Sequence, residues 1–232
     1  MSPIKIKYFK SHLIISLLIV LTISIICQFL WFPSPFLFID GTWIALLILA
    51  TVDIILGPSL TFLLINSVKS KKAILVDIFV ITILQLSALT YGLLQIEKER
   101  VVALVHSNGA FSLVPKKELN NNDYAYLHKL PQYQGIYYAM VLDSDLVEHS
   151  KGNTKPLLYS PASYKKLNKN ITSHTQYPYE KLPIDIQKMY SSDYIFKVLA
   201  GKKENAILVF TNNMVLIDII LLPPPEKMPS QN

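Results

Sequence analysis

The chain has 232 residues, of which 51% are hydrophobic and only 16% are charged, and its formal net charge at pH 7 is +6. Soluble domains carry about a quarter charged residues, so this composition argues against a purely soluble protein. The basic residues include a single arginine, Arg100, which argues against a nucleic-acid binder because such proteins use arginine for phosphate and base contacts. The only cysteine, Cys27, excludes an internal disulfide and cysteine-based zinc motifs.

Three apolar runs predict three membrane-spanning helices at about 12–32, 43–65 and 73–95, within a membrane domain over 1–100. Each run has about 21 to 23 residues, and about 20 suffice to cross the hydrocarbon core of a bilayer. The first run is longer than the apolar stretch of about 7 to 15 residues in a cleaved signal peptide, and 28–32 offers no small residues for cleavage. We therefore expect an uncleaved anchor helix at the N-terminus.

Lysine placement predicts the orientation of these helices. Lysines precede the first helix and lie between the second and third, whereas the loop at 33–42 contains no lysine or arginine. The residues concerned are Lys5, Lys7, Lys10, Lys69, Lys71 and Lys72. Because positively charged flanks stay in the cytoplasm, the N-terminus is predicted to be cytoplasmic and the chain after the third helix extracytoplasmic. Trp31 and Trp43 suit an aromatic belt at the outer interface.

Asp53 lies near the middle of the second helix, where a carboxylate is unfavourable unless it faces protein. The second and third helices are antiparallel across a short loop, so position 43 matches 95 in depth and position 53 matches Gln85. A glutamine can donate a hydrogen bond to a buried carboxylate. Three roles stay open for Asp53: helix packing through Gln85, contact with a partner's transmembrane helix, and ion or proton transport. Transport normally needs more ionisable groups than these helices contain.

Two other features of the helices concern packing. Pro58 removes a backbone donor one turn after Ile54 and is expected to kink the second helix, while Gly57 allows close helix approach. Asp77 lies in the first turn of the third helix, near Lys71 and Lys72. It either complements the helix dipole at the interface or contacts a partner.

Residues 101–222 are predicted to form an extracytoplasmic α+β domain with antiparallel strands. Val101–His106 and Gly109–Val114 flank an Asn-Gly turn, which is a strong hairpin signal. Tyr194–Leu199, Ala206–Thr211 and Met214–Leu221 are separated by turn-rich connectors and predict a three-stranded meander. Ile184–Tyr190 is predicted to be helical, with Pro183 at a first helical position.

The middle of this domain, about 120–180, contains many loop-forming residues and a concentration of tyrosines. The tyrosines are predicted either to form a protein interface or to pin the loops to the domain. They are Tyr124, Tyr126, Tyr133, Tyr137, Tyr138, Tyr159, Tyr164, Tyr177 and Tyr179. A tail at 223–232 is predicted to be disordered.

Motifs for catalysis are weak in this half. Ser163-Tyr164-Lys165-Lys166 matches SxxK, but the partner motifs of that chemistry are absent from the sequence. No histidine pair has metal-ligand spacing, and no phosphate-binding glycine pattern occurs. The sequence therefore predicts no enzyme, no cofactor and no metal.

Three strings in the helices carry a family resemblance. They are 31–35 (WFPSP), 53–61 (DIILGPSLT) and 84–92 (LQLSALTYG), with Asp77 between the last two. Together they resemble the TfpX/TfpZ family of type IV pilin accessory proteins over about residues 5–115. The resemblance implies a protein of the bacterial inner membrane that supports the stability, assembly or display of its cognate pilin.

The resemblance also implies a partner-binding surface and no catalytic residue. Its candidates for partner binding or helix packing are Asp53, Gly57, Pro58, Asp77, Gln85 and Tyr91. The expected partners are a type IV pilin, other inner-membrane pilus assembly proteins and membrane lipid, with no nucleic acid. The main alternative is a membrane-anchored envelope enzyme acting on pilin or cell wall. A sensor is disfavoured because the predicted cytoplasmic segments are too short for an output domain.

Overall fold

A computed structural model describes residues 3–66, 68–142, 156–168 and 176–222. The chain divides into two compact units. The helical unit comprises Met1–Phe32 and Thr42–Lys98, and the sheet unit comprises Pro33–Gly41 and Glu99–Asn232. The tail predicted to be disordered, 223–232, lies outside the described residues.

The helices and strands follow in chain order. The helices are α1 (Pro3–Ile26), α2 (Phe36–Ile39), α3 (Thr42–Thr51), α4 (Gly57–Leu64), α5 (Lys71–Glu99), α6 (Tyr124–Leu127) and α7 (Ile184–Met189). The strands are β1 (Val101–Ser107), β2 (Ala110–Pro115), β3 (Gln132–Tyr133), β4 (Ile136–Met140), β5 (Ile195–Ala200), β6 (Ala206–Phe210) and β7 (Leu216–Leu221).

Within the described residues, three helical stretches are long and apolar enough to cross a membrane: Lys5–Trp31, Thr42–Leu64 and Lys71–Glu99. They contain nearly all of the three runs predicted from hydropathy. Helix α5 extends four residues beyond the predicted end at Gln95, to Glu99. Its backbone hydrogen bonding continues through polar residues after the apolar run has ended.

A π-helical segment lies directly before Pro58, where a kink was expected. Val52–Leu56 is π-helical and separates α3 from α4, and Pro58 lies in the first turn of α4. A proline lacks a backbone N–H and its ring collides with the carbonyl one turn back. The wider π turn lies directly before the proline, and such turns occur often at functional sites. Asp53 lies within this segment.

The sheet unit contains, among its described residues, one mixed sheet in the order β3-β4-β1-β2-β5-β6-β7. The predicted hairpin is β1–β2 and the predicted meander is β5–β6–β7, both antiparallel. The predicted antiparallel pairs are therefore confirmed, but the sheet as a whole is mixed, because β1 also pairs with β4 and β2 with β5 in parallel. Parallel pairs join strands that are distant in sequence, and no turn signal marks them.

The backbone conformation of the first hairpin turn accounts for the two residues found there. Asn108 and Gly109 both have positive φ, 49° and 89°. Two successive residues of this conformation are typical of the type I′ turn, which matches the twist of the flanking strands. Asparagine and glycine adopt this conformation most readily.

The sheet curls until its edges approach each other. Strand β3 at one edge lies beside β7 at the other, and the Leu216 N–H of β7 donates to the Tyr138 hydroxyl of β4 at 3.4 Å. The inner face therefore holds one hydrophobic cluster with members from all parts of the sheet, including Leu104, Phe111 and Leu208. Two further clusters, one with Leu127 and the other with Ile186, form on the opposite face of the sheet, from the strand residues that alternate with those of the inner cluster.

Helix α2 contributes to the core of the sheet unit, although it comes from the loop between the first two predicted spans. Phe36 and Ile39 are fully buried in the inner cluster, and the Lys203 N–H donates to the Ile39 carbonyl at 3.1 Å. Gly201 allows this approach, since a Cβ there would lie 2.5 Å from Ile39 Cγ2. The sequence-based division had placed this loop in a continuous membrane domain.

An ion-pair group lies at the same end of the sheet unit. The Lys202 ammonium is 2.8 Å from the buried Asp40 carboxylate and 3.0 Å from Glu99, and Lys117 pairs with Glu99 at 2.6 Å. Burial lowers the pKa of Lys202, but the hydrogen bonds and charges of Asp40 and Glu99 outweigh this and raise it overall. These contacts join the α2 loop to the β5–β6 turn, and they join Glu99, which precedes β1, to that turn and to the segment after β2.

Most of the tyrosines predicted for an interface or for loop pinning pack into the hydrophobic clusters of the sheet unit. Tyr137, Tyr138 and Tyr164 are buried, and five others pack against the clusters: Tyr124, Tyr133, Tyr159, Tyr177 and Tyr179. Tyr126 is the exception, with 46% of its surface exposed. The phenol rings bury apolar area, and some of their hydroxyls bond backbone carbonyls between elements, as Tyr179 does to the carbonyl of Tyr190, directly after α7, at 3.1 Å.

Candidate functional site

Polar side chains of the helical unit converge from three separate stretches of sequence. Helix α1 supplies His12, the second span supplies Asp53 and Thr61, and α5 supplies Gln85. The spacing of Asp53 and Thr61 is eight residues, which places both on one helix face. A polar cluster thus forms inside a unit whose outer surface is apolar.

Gln85 lies at the centre of this cluster. Its Nε2 donates to the Asp53 backbone carbonyl at 3.3 Å and its side chain also hydrogen-bonds the Asp53 carboxyl group. Its Oε1 is 2.7 Å from His12 Nε2. An amide oxygen only accepts, so His12 Nε2 donates this bond. The depth comparison of the two spans predicted that Asp53 and Gln85 would meet, and the structure places them together.

The other ring nitrogen of His12 contacts the second span. His12 Nδ1 lies 2.5 Å from the Thr61 hydroxyl. The imidazole therefore bridges Thr61 and Gln85, and its two nitrogens are both hydrogen-bonded. Thr61 is 1% exposed and Asp53 is 5% exposed, so both residues lie away from the surface of the unit.

A cavity of about 380 Å³ lies over this cluster. It is lined by α1, the second span and α5, and its lining includes Asp53, His12, Thr61 and Gln85. Most of the remaining lining is aliphatic, with Ser11, Ser16 and Thr82 among the exceptions. Ligand sites commonly combine an apolar wall with a few convergent polar groups.

Gly57 and Pro58 lie beside the cluster and are buried. A Cβ on Gly57 would lie 1.9 Å from Gln85 Nε2. The absence of a side chain at this position therefore allows Gln85 to reach Asp53. Close approach at a small residue is a common device in membrane helix packing.

Asp77 and Tyr91 lie elsewhere. Asp77 pairs with Lys69 at 2.6 Å, and it is absent from the described lining of the cavity. Tyr91 on α5 is 66% exposed. The structure therefore brings Asp53, Gly57, Pro58 and Gln85 together and leaves these two candidates outside.

Sequence reasoning missed His12 and Thr61 as members of the site. A signal was present: Tyr8, His12 and Ser16 recur every four residues in α1, which places them on one face of an otherwise apolar helix. Thr61 continues the face that carries Asp53 and Gly57. Only the packing of α1 against α4 shows that the two faces meet.

Metal binding has no support in the described part of the chain. No three His, Cys, Asp or Glu side chains lie close enough there to hold an ion. Zinc sites need such a set of ligands.

Comparison with known proteins points to fimbrial assembly. The chain is 31% identical over 121 residues to the fimbrial assembly proteins of serogroup E1 and of serogroups C1 and C2 of Dichelobacter nodosus. It is 33% identical over 121 residues to the serogroup I protein of the same organism. Each match covers 52% of this chain. No family model matches the chain, and no solved structure matches it.

The relatives differ in how much of their length is matched. The chain spans 45% of the serogroup E1 and serogroup I proteins, which is less than half of each. It spans 88% of the protein of serogroups C1 and C2. At 31% identity over most of that relative's length, this chain belongs to the family of the fimbrial assembly proteins.

Proposed function

We propose that this protein is a type IV pilus biogenesis factor of the TfpX/TfpZ type that binds and stabilises its cognate pilin in the inner membrane before assembly. The observation that carries the proposal is the similarity to proteins named fimbrial assembly proteins. The three strings at 31–35, 53–61 and 84–92 support the more specific assignment.

The proposed location follows from the helices and the lysines. The three spans cross the inner membrane with the N-terminus and the Lys69–Lys72 loop in the cytoplasm, because lysine-rich flanks are retained there. The sheet unit is then periplasmic. The spanning is supported by the length and composition of the helices, and the orientation is supported by the absence of lysine and arginine from 33–42.

The two units suit the two parts of an unassembled pilin. Such a pilin has one helix in the membrane and a head outside it. The helical unit offers a polar cavity within an apolar surface, and the sheet unit offers a domain on the side of the head. Other pilus assembly proteins of the inner membrane and membrane lipid are further partners in this proposal.

One arrangement of side chains favours the alternative, a membrane-anchored enzyme. Thr61, His12 and Gln85 follow the order of nucleophile, base and orienting group. The orienting group is a neutral amide, however, which cannot stabilise an imidazolium as a carboxylate does, and Thr61 is 1% exposed. We therefore propose binding without catalysis and without a cofactor.

The proposal is tested by capture of pilin. The full chain, tagged and purified in mild detergent from cells that express its pilin, is expected to carry pilin with it, and deletion of its gene is expected to lower the steady-state pilin level. A tagged inner-membrane protein with three unrelated spans is the control. Unchanged pilin levels together with no capture above this control would refute the role.

Thr61→Val separates binding from catalysis. It removes the hydroxyl and keeps the shape of the side chain. If the protein is a binding factor, pilin isolated from cells with this variant has the same intact mass as pilin from wild-type cells. A mass difference would favour the enzyme.

A further inference from the structure

The cavity of the helical unit has a buried polar floor and an exposed rim. Asp53 and Thr61 on the floor are buried, whereas Ser11 on α1 and Thr82 on α5 at the rim are exposed. The cavity therefore opens through the side of the unit, between α1 and α5. For helices that span a membrane, this side faces lipid or another helix.

The hydrogen-bonding groups of the floor leave an excess of acceptors. Gln85 uses its amide protons on Asp53 and its oxygen on His12, and the second nitrogen of His12 is bonded to Thr61. A carboxylate has about four acceptor positions and no donor. Gln85 satisfies only part of this capacity, so the floor accommodates one more donor at Asp53.

The charged residues that line the cavity limit the kind of molecule that can occupy it. Among the described residues that line it, Asp53 is the only acid, and none is lysine or arginine. An anionic lipid headgroup would meet a carboxylate without a cation beside it. A second copy of this chain would bring a second Asp53 to the first. A helix that carries an ammonium, amide or hydroxyl donor instead complements the site, and carboxylates within membrane helices commonly pair with such polar groups.

We propose that this cavity receives a hydrogen-bond donor on the membrane helix of the pilin, and that the Asp53 carboxylate accepts the bond. The inference rests on the proposed function and names the group that recognises the partner. Thr61, His12 and Gln85 position the carboxylate, and the rim residues of α1 and α5 contact the helix beside the donor.

The first test removes the charge and keeps the shape. Asp53→Asn in the full chain is expected to reduce co-purified pilin by about tenfold, because a neutral amide oxygen accepts a weaker hydrogen bond than a carboxylate and the new amide protons face the incoming donor. Asp77→Asn is the matched control, since it neutralises the acid of α5 that pairs with Lys69 and lies outside the cavity. It is expected to capture as much pilin as the unmodified chain at equal protein level.

The second test does not depend on the stability of an Asp53 variant. A photo-crosslinking amino acid at Thr82 lies on the cavity rim, and one at Val80, which is half exposed, lies on the opposite face of α5 at similar depth. Illumination of cells is expected to join Thr82 to pilin and to leave Val80 without a pilin product.

The outcomes separate the two proposals. Pilin capture that is unaffected by Asp53→Asn, or pilin crosslinks from Val80 and none from Thr82, overturns the assignment of the cavity while the pilin-binding role stands. Crosslinks from Thr82 to a second copy of the chain also overturn it. If the unmodified chain captures no pilin, the proposed function fails and this inference fails with it.

Discussion

Gly57 shows how a single position controls both helix packing and the polar cluster. A Cβ at this position would lie 1.9 Å from Gln85 Nε2 and 2.4 Å from Gln85 Cδ. Any side chain therefore displaces the carboxamide that joins His12 to Asp53. The site depends on the lack of a side chain as much as on the polar residues themselves.

We expect Gly57→Ala to lower the stability of the helical unit by about 1 kcal/mol, since it breaks interhelical hydrogen bonds of that order. The measurement is thermal unfolding of the full chain in detergent. Gly92→Ala is the matched control, because its Cβ would meet only the Leu49 Cδ1 methyl, at 2.5 Å, and a methyl rotates without losing a polar bond. Equal losses in both variants would contradict the importance of the Gln85 contacts.

Lys197 is an unusual residue for the inside of a sheet. It lies on β5 between Ile195 and Leu199, and is 1% exposed. Burial disfavours its charged form and lowers the pKa of Lys197 to about 8, from an ordinary value of 10.5.

The lowered pKa predicts that the sheet unit gains stability in alkali. Between about pH 8 and pH 10.5, the unfolded chain holds a proton that the folded chain has released, so the free energy of unfolding rises with pH. The rise is at most about 3 kcal/mol. Denaturant unfolding of the full chain followed by pulse proteolysis measures it. Lys197→Met is expected to abolish this rise in the free energy of unfolding. If the variant and the unmodified chain show the same dependence of stability on pH, Lys197 is not its cause.

At the scale of elements, α2 determines what the loop between the first two spans does. It has only four residues, too few to be stable alone. Phe36 and Ile39 place their side chains in the inner cluster of the sheet unit, and the Lys202–Asp40 pair lies beside them. The loop is thereby part of the sheet unit.

We expect Phe36→Ala to destabilise the sheet unit by about 3–5 kcal/mol, the usual effect of removing a buried phenylalanine. Phe38→Ala is the control within the same helix, since Phe38 is 42% exposed, and a loss below about 1 kcal/mol is expected. The rate of amide hydrogen exchange in β5 and β6 of the full chain distinguishes the two variants. Unchanged protection of these strands in Phe36→Ala would show that α2 is not part of their core.

At the scale of the whole molecule, the orientation proposed from lysine placement is open to direct measurement. In a Cys27→Ser background, Asn213→Cys marks the exposed β6–β7 turn and Val68→Cys marks the loop before α5, where Val68 is 88% exposed. A membrane-impermeant maleimide is expected to label Asn213→Cys in spheroplasts, and Val68→Cys only after permeabilisation. The reverse pattern would invert the topology.

The sequence alone determined the features that depend on local patterns. Apolar runs of spanning length predict the three long helices, and alternation with turn residues predicts β1, β2, β5, β6 and β7 within one or two residues. Matching the residues of the two antiparallel helices by their depth also predicted that Asp53 meets Gln85. Each of these follows from hydropathy, periodicity or a short connection, which act over a few residues.

Only the tertiary structure decided the features that depend on contacts between distant segments. The parallel pairs β1–β4 and β2–β5 unite the two predicted strand groups in one curled sheet. Phe36 and Ile39 join that sheet from a loop, and His12 joins a site that is 49 residues away in sequence at Thr61. Local patterns show which face of an element is polar or apolar but not which distant segment meets it, because the residue types involved suit several environments and packing selects one of them.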